Sequence, residues 1–87
     1  MKPTVGNIYA VNNGDYMGEF FVLVENSDPL IFLSLPDFYI RKVPTDKYDI
    51  GIKENILEFQ EKLPKDIFKE CIKKYNEIKD LHNKPMH

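Results

Sequence analysis

Tryptophan is absent from this chain of 87 residues, cysteine and arginine occur once each, and histidine appears only at positions 82 and 87. A lone cysteine excludes an internal disulfide and any zinc site built from cysteine pairs. An unstapled chain of this size fits a reducing compartment. Long apolar runs are also missing. Stretches such as FFVLV fall far short of the roughly 18 residues that span a bilayer, and MKPTVGNIYAVNNGDY lacks the apolar core of a secretory leader. The expectation is a cytoplasmic protein with no membrane partner. Charge of one sign is lacking as well: 12 basic residues face 14 acidic ones, for a net charge of −2. Strong nucleic-acid binders and polyanion mimics rely on a large single-sign field, so only local patches remain for such work.

The inventory is equally thin for catalysis. His82 and His87 lie in or beside a terminal segment, 83–87, that reads as a tail, and two histidines do not complete a metal site. Cys71 falls on an apolar stripe with no base beside it, which suits a small buried hydrophobe better than a nucleophile. The expectation is a non-enzymatic chain without metal or cofactor.

What is present is a composition that folds, 43% hydrophobic and 13% aromatic, well outside the disordered regime. Its length fits one domain, 1–87. Residues 1–63 read as mainly β. Four apolar runs, at 5–11, 18–25, 30–35 and 38–43, are separated by NNGD, NSDP and PD turn signals. In GEFFVLVE, Phe20, Val22 and Val24 point one way and Phe21 and Leu23 the other. LIFLSL is likewise apolar on both sides. A sheet with one wet face would alternate, so something must cover each face.

From Pro64 the period becomes helical. Ile67, Phe68, Cys71, Ile72, Tyr75, Ile78 and Leu81 recur at steps of three and four. The spacing predicts an amphipathic helix over 64–82 with Glu70 and Lys74 paired at i,i+4, docked on the sheet. Residues 45–63 admit two readings: a short helix carrying Ile52, Ile56, Phe59 and Leu63, or a loop with a fifth strand at 56–59. Gly51 and Asn55 weigh against a continuous helix and favour the strand. The fold class is therefore α+β, a small, strongly bent antiparallel sheet or barrel of four to five strands closed by a C-terminal amphipathic helix.

The stretch NNGDYMGEFF holds two glycines around Asp15, Tyr16 and Met17. A phosphate-cradling loop would lead into a helix, whereas here a strand follows, so the expectation is a hairpin turn with Gly14 and Gly18 in conformations that disfavour a β-carbon. VGNIYAVNNGDYMGEFFVLVE resembles the opening hairpin of SH3-like small barrels of the KOW type. Gly14, Tyr16 and Gly18 match that family's turn, with one extra residue between Gly14 and Tyr16. The resemblance covers about 5–43 and implies an SH3-like fold that binds RNA or proteins, although Asp15 and Glu19 stand where the family carries basic residues. GNIYAV is also similar to the start of MazF-type toxins, SH3-like ribonucleases, but their Arg-Pro is replaced by Glu19-Phe20-Phe21. The composition, with the VP…LPKDIF…C…Y pattern over 43–75, looks like small early proteins of T4-like bacteriophages. That likeness implies a factor which inhibits or modulates a host protein in the host cytoplasm.

Two surfaces are candidates for binding. Phe38 and Tyr39 are adjacent in DFYIRK, so a strand would turn one of them outward, beside Arg41 and within reach of Tyr16. These four suit a protein interface, where aromatic and arginine anchors dominate. Lysines 62, 65, 69 and 73 would share one helix face if the helix reached back to Lys62. With Lys42 and Lys47 they would serve the alternative function of a KOW-like RNA- or DNA-binding barrel, or contact an acidic partner. The strands with two apolar faces also leave room for a homodimer.

Overall fold

A computed structural model describes residues 2–83, with side chains described as far as residue 81. The order of elements is β1 (Asn7–Val11), β2 (Phe20–Glu25), β3 (Leu30–Leu35), β4 (Ile40–Val43), α1 (Thr45–Lys53), β5 (Leu57–Lys62) and α2 (Lys65–Asn83). The strands form one antiparallel sheet in the order β4-β3-β2-β1-β5. β5 returns to pair with β1, an order compatible with an SH3-like barrel, but the sheet stays open between β4 and β5. Bulges after Leu23 in the β2–β3 pairing and after Ile8 in the β1–β5 pairing bend the strands where they occur.

Both sheet faces are covered, as the non-alternating strands require. On one face Tyr9, Val11, Phe21, Leu23, Leu30 and Phe32 pack with Tyr48 of α1 and Leu57 of β5. On the other, Val22, Val24 and Leu33 pack with Cys71 and Tyr75 of α2, and Phe68, Ile72 and Ile78 fill in beside them. The parity read in β2 and β3 holds for every residue that enters a core, while Phe20, expected beside Val22 and Val24, is exposed and belongs to neither cluster.

Residues 45–63 form a nine-residue helix that includes only Ile52 of the four residues weighed for one, and then a fifth strand that runs over Leu57–Lys62 rather than 56–59. Helix α1 begins after Pro44, whose carbonyl accepts the Tyr48 N–H at 2.9 Å. Asp28, from the β2–β3 turn, accepts from both the backbone N–H and the hydroxyl of Thr45; this carboxylate at a helix N-terminus also suits the dipole. Gly51 is buried against Leu57, two of whose side-chain atoms would stand a tight 3.3 Å from a β-carbon at this position. Asn55, at φ 59°, follows the helix and turns the chain into β5.

Two boundaries and one ion pair that bear on the candidate sites differ from expectation. The fourth strand starts at Ile40 rather than at residue 38, because Phe38 takes φ 62° in a turn closed by Ser34. That buried serine donates its N–H to the Tyr39 carbonyl and accepts the Phe38 N–H on its carbonyl and the Tyr39 N–H on its hydroxyl. Helix α2 starts at Lys65, so Lys62 lies on β5 and the four-lysine helical stripe does not exist. Pro64 contributes the first accepting carbonyl, to Phe68, rather than the first helical residue. Lys74 pairs with Glu77 at 4.0 Å and not with Glu70. The expected tail at 83–87 and the side chains of His82 and His87 lie outside the described residues, apart from Asn83, which is helical.

The polar centre of the α1-side core is a hydrogen bond between the buried hydroxyls of Tyr9 and Tyr48, 2.9 Å long, with the Asn7 amide donating to Tyr9 at 3.4 Å. Leaving one such hydroxyl unpartnered costs about 1–3 kcal/mol, whereas removing both partners can be nearly neutral. The Tyr9→Phe/Tyr48→Phe double variant is therefore expected to lose less stability than the sum of the two single variants. Urea unfolding of the four proteins in a double-mutant cycle reads that non-additivity; strict additivity would show the two hydroxyls to be independent.

Each face also holds a tyrosine whose proton is retained on folding. Burial, then the hydrogen bond to Tyr9, raises the Tyr48 hydroxyl well above its ordinary value. Burial, then its hydrogen bond to the Glu25 carboxylate, pushes Tyr75 up to about 12. The unfolded chain ionises these groups near 10, so above that pH it binds fewer protons than the folded protein, and stability falls as pH rises. The contribution is complete below about pH 10 and drains away toward pH 12 and beyond. Urea midpoints should hold from neutral pH to about 9 and then drop, less steeply in Tyr75→Phe than in wild type.

Candidate functional site

The β1–β2 connection folds back on itself. Gly14 and Gly18 take φ 91° and 94°, and the Met17, Gly18 and Glu19 N–H groups donate to the Gly14, Val11 and Tyr16 carbonyls. No atom outside their neighbours lies within 4 Å of a β-carbon built at either glycine, so it is backbone conformation, not crowding, that calls for glycine. This tip sets Tyr16 against Phe21, ring centroids 6.1 Å apart.

Strand β4 places Arg41 opposite Phe32, on the α1 side of the sheet edge. Its guanidinium carbon lies 4.0 Å from the centroid of the Tyr16 ring and 5.0 Å from that of Tyr39. Its Nη2 donates to Glu19 Oε2 at 3.1 Å and its Nε to Oε1 at 3.4 Å. Glu19 thus holds the guanidinium by two contacts, an arrangement that fixes the plane of the fork as well as its charge. Arg41 and Glu19 keep about a fifth of their side-chain surface open, at 21% and 23%, while Tyr16 and Tyr39 are 44% and 56% exposed.

Three of the four residues singled out for protein binding, Tyr16, Tyr39 and Arg41, therefore assemble into one cluster. The fourth, Phe38, is set apart at the α2 side, where the Lys74 ammonium lies 5.4 Å from its ring centroid. Sequence reasoning missed Glu19, which looked only like a lost basic position. No local signal marks a pair of residues 22 positions apart.

The cluster separates two clefts. One, of about 510 Å³, is floored by Val11, Phe21, Val43 and Leu57, walled by Tyr16 and Ile50, and carries Asp15, Asp46 and Lys47 on its rim. The other, of about 590 Å³, lies between β4 and α2, with Ile31 and Ile40 on one side and Tyr75 and Lys79 on the other.

The remaining basic candidates are dispersed. Lys42 is on β4, Lys47 on α1, Lys62 on β5, and only Lys65, Lys69 and Lys73 run along α2. Cys71 is buried, and burial, reinforced by the charge of Glu70, raises its thiol pKa; a thiol so held stays protonated and unreactive. Among the described residues no three histidine, cysteine or carboxylate side chains converge as metal ligands, and no helix is long and apolar enough to cross a membrane. Compared with family models, curated proteins and solved structures, the chain matches none.

Proposed function

We propose that this chain is a non-enzymatic protein-binding module, built as an SH3-like small barrel, that presents the Tyr16–Arg41–Tyr39 cluster to a protein partner. The observation that carries this reading is the cluster itself. Tyrosine and arginine are among the side chains that most often anchor interfaces, and here two half-exposed tyrosines flank a guanidinium that lies over both rings and is oriented by Glu19 before any partner arrives. Ordering paid in advance lowers the entropy lost on association. The likeness to small phage proteins extends the proposal to a factor that binds and modulates a host protein in the host cytoplasm.

The test is affinity capture of the tagged protein from bacterial lysate, with and without nuclease and at low and high salt, beside the Tyr16→Ala and Arg41→Ala variants. A stoichiometric protein that survives nuclease and salt and is lost with the variants supports the proposal. Recovery of nucleic acid alone, with affinity collapsing as salt rises, would replace it with the RNA- or DNA-binding barrel. Capture unaffected by the variants would move the interface elsewhere.

A further inference from the structure

The open edge of β4 has a definite hydrogen-bonding phase. Ser34 donates its N–H to the Tyr39 carbonyl, and the ladder pairs Phe32 with Arg41 and Leu30 with Val43. Bonded and non-bonded pairs alternate along an antiparallel ladder. The backbone groups of Arg41 and Val43 thus point into the sheet, and the N–H and C=O of Ile40 and Lys42 point outward. Ile40 and Lys42 both line the cleft between β4 and α2. An exposed strand edge of this kind is a template for a further strand.

The charges of the cleft choose the occupant. Neither Lys42 nor Lys79 has a carboxylate within 4 Å among the described residues. Arg41 is neutralised by Glu19, and Glu25, the one acid lining the cleft, accepts the Tyr75 hydroxyl. A second copy does not fit. With Ile40 and Lys42 pointing outward, antiparallel pairing centred on β4 sets Arg41 against Arg41 or Lys42 against Lys42, and like charges directly opposite are destabilising.

Resting on the protein-binding reading above, we propose that the partner supplies an extended segment that adds to β4 as a sixth strand. Its side chain opposite Lys42 is acidic, within reach of Lys79, and the side chain two positions away, opposite Ile40, is apolar. Residues two apart on a strand share a face, so both enter the cleft on the α2 side.

The probe is an acetylated, amidated hexapeptide, Thr-Val-Thr-Glu-Thr-Val, in which glutamate and valine stand two positions apart on one face, titrated to millimolar concentration into the isotopically labelled protein. Amide hydrogen exchange should slow at Ile40 and Lys42 by about tenfold or more at saturation, with little change at Arg41 and Val43, whose amides are already bonded. The same peptide N-methylated on its glutamate and valine amides, the set that must face β4 when these side chains lie opposite Lys42 and Ile40, keeps its charge and should give no protection. The same peptide with lysine in place of its glutamate should bind at least about fivefold more weakly. Unchanged exchange at Ile40 and Lys42, or equal binding by the N-methylated peptide, overturns the proposal. Lys42→Pro removes one outward N–H and no ladder bond. If it folds yet binds the captured protein partner as wild type does, the sixth strand is refuted while the binding module stands. Loss of partner only in Tyr16→Ala and Arg41→Ala refutes the sixth strand in the same way.

Discussion

Phe32→Ala is expected to lower the melting temperature by at least about 15 °C, and to abolish the cooperative transition if wild-type stability is at the low end for its size. Phe32 is fully buried and lies at the centre of the α1-side core. Its ring meets Tyr9 edge-on at 5.9 Å, lies tilted beside Phe21 at 5.5 Å and stacks on Tyr48 at 6.5 Å. Truncating such a ring costs about 3–5 kcal/mol, because the cavity collapses only in part. A domain of this length has roughly 4–13 kcal/mol in total, so one side chain carries a large share. Phe20 is the control: one residue before Phe21 on β2 yet 42% exposed, it should cost about 1 kcal/mol or less as alanine. Thermal melts followed by circular dichroism decide the matter. A Phe32→Ala protein melting within a few degrees of wild type would mean that this cluster is not a packed core.

The same core shows why some of the architecture could be read from the residues and some could not. Side-chain parity on a strand is set by the backbone alone. Phe21 and Leu23 therefore revealed their face, and Val22 and Val24 the other, without knowledge of what covers them. The stripe of α2 was legible for a similar reason, since its period holds over a long helix. Helix α1 was obscured by Gly51, which counts against a helix locally but suits the close approach of Leu57, a contact across the fold. Phe38 hid the start of β4 because an aromatic residue at positive φ defies local preference, and the three hydrogen bonds at Ser34 that close its turn are not visible in the local sequence. The candidate site divides the same way. Tyr16, Tyr39 and Arg41 could be chosen by side-chain chemistry, whereas Glu19 becomes their partner only once the hairpin tip folds over the sheet edge. Lys62 was misplaced because the run of lysines continues through a change of element at Pro64.

Arg41→Ala should weaken partner binding by about thirtyfold or more, the loss of at least about 2 kcal/mol that marks an interface anchor, while lowering folding stability by only about 1 kcal/mol. The two effects separate because the guanidinium is held at the surface by groups that remain solvated when it is gone, so folding loses little. A partner that has desolvated the site loses a planar donor fork and a stacking surface together. The loss should therefore appear in the dissociation rate rather than the association rate, since a long-range charge effect would act mainly on encounter. Arg41→Lys should recover little, because an ammonium keeps the charge but neither the fork nor the flat face. Glu19→Gln should fall between the two: the guanidinium remains, but the carboxylate that orients it is gone. Surface plasmon resonance on the captured partner orders the four proteins. If Arg41→Ala binds within twofold of wild type, the cluster is a strut that fixes the hairpin against β4, and the interface must be sought in the apolar cleft walled by Ile50, where Tyr16 alone of the cluster has a share.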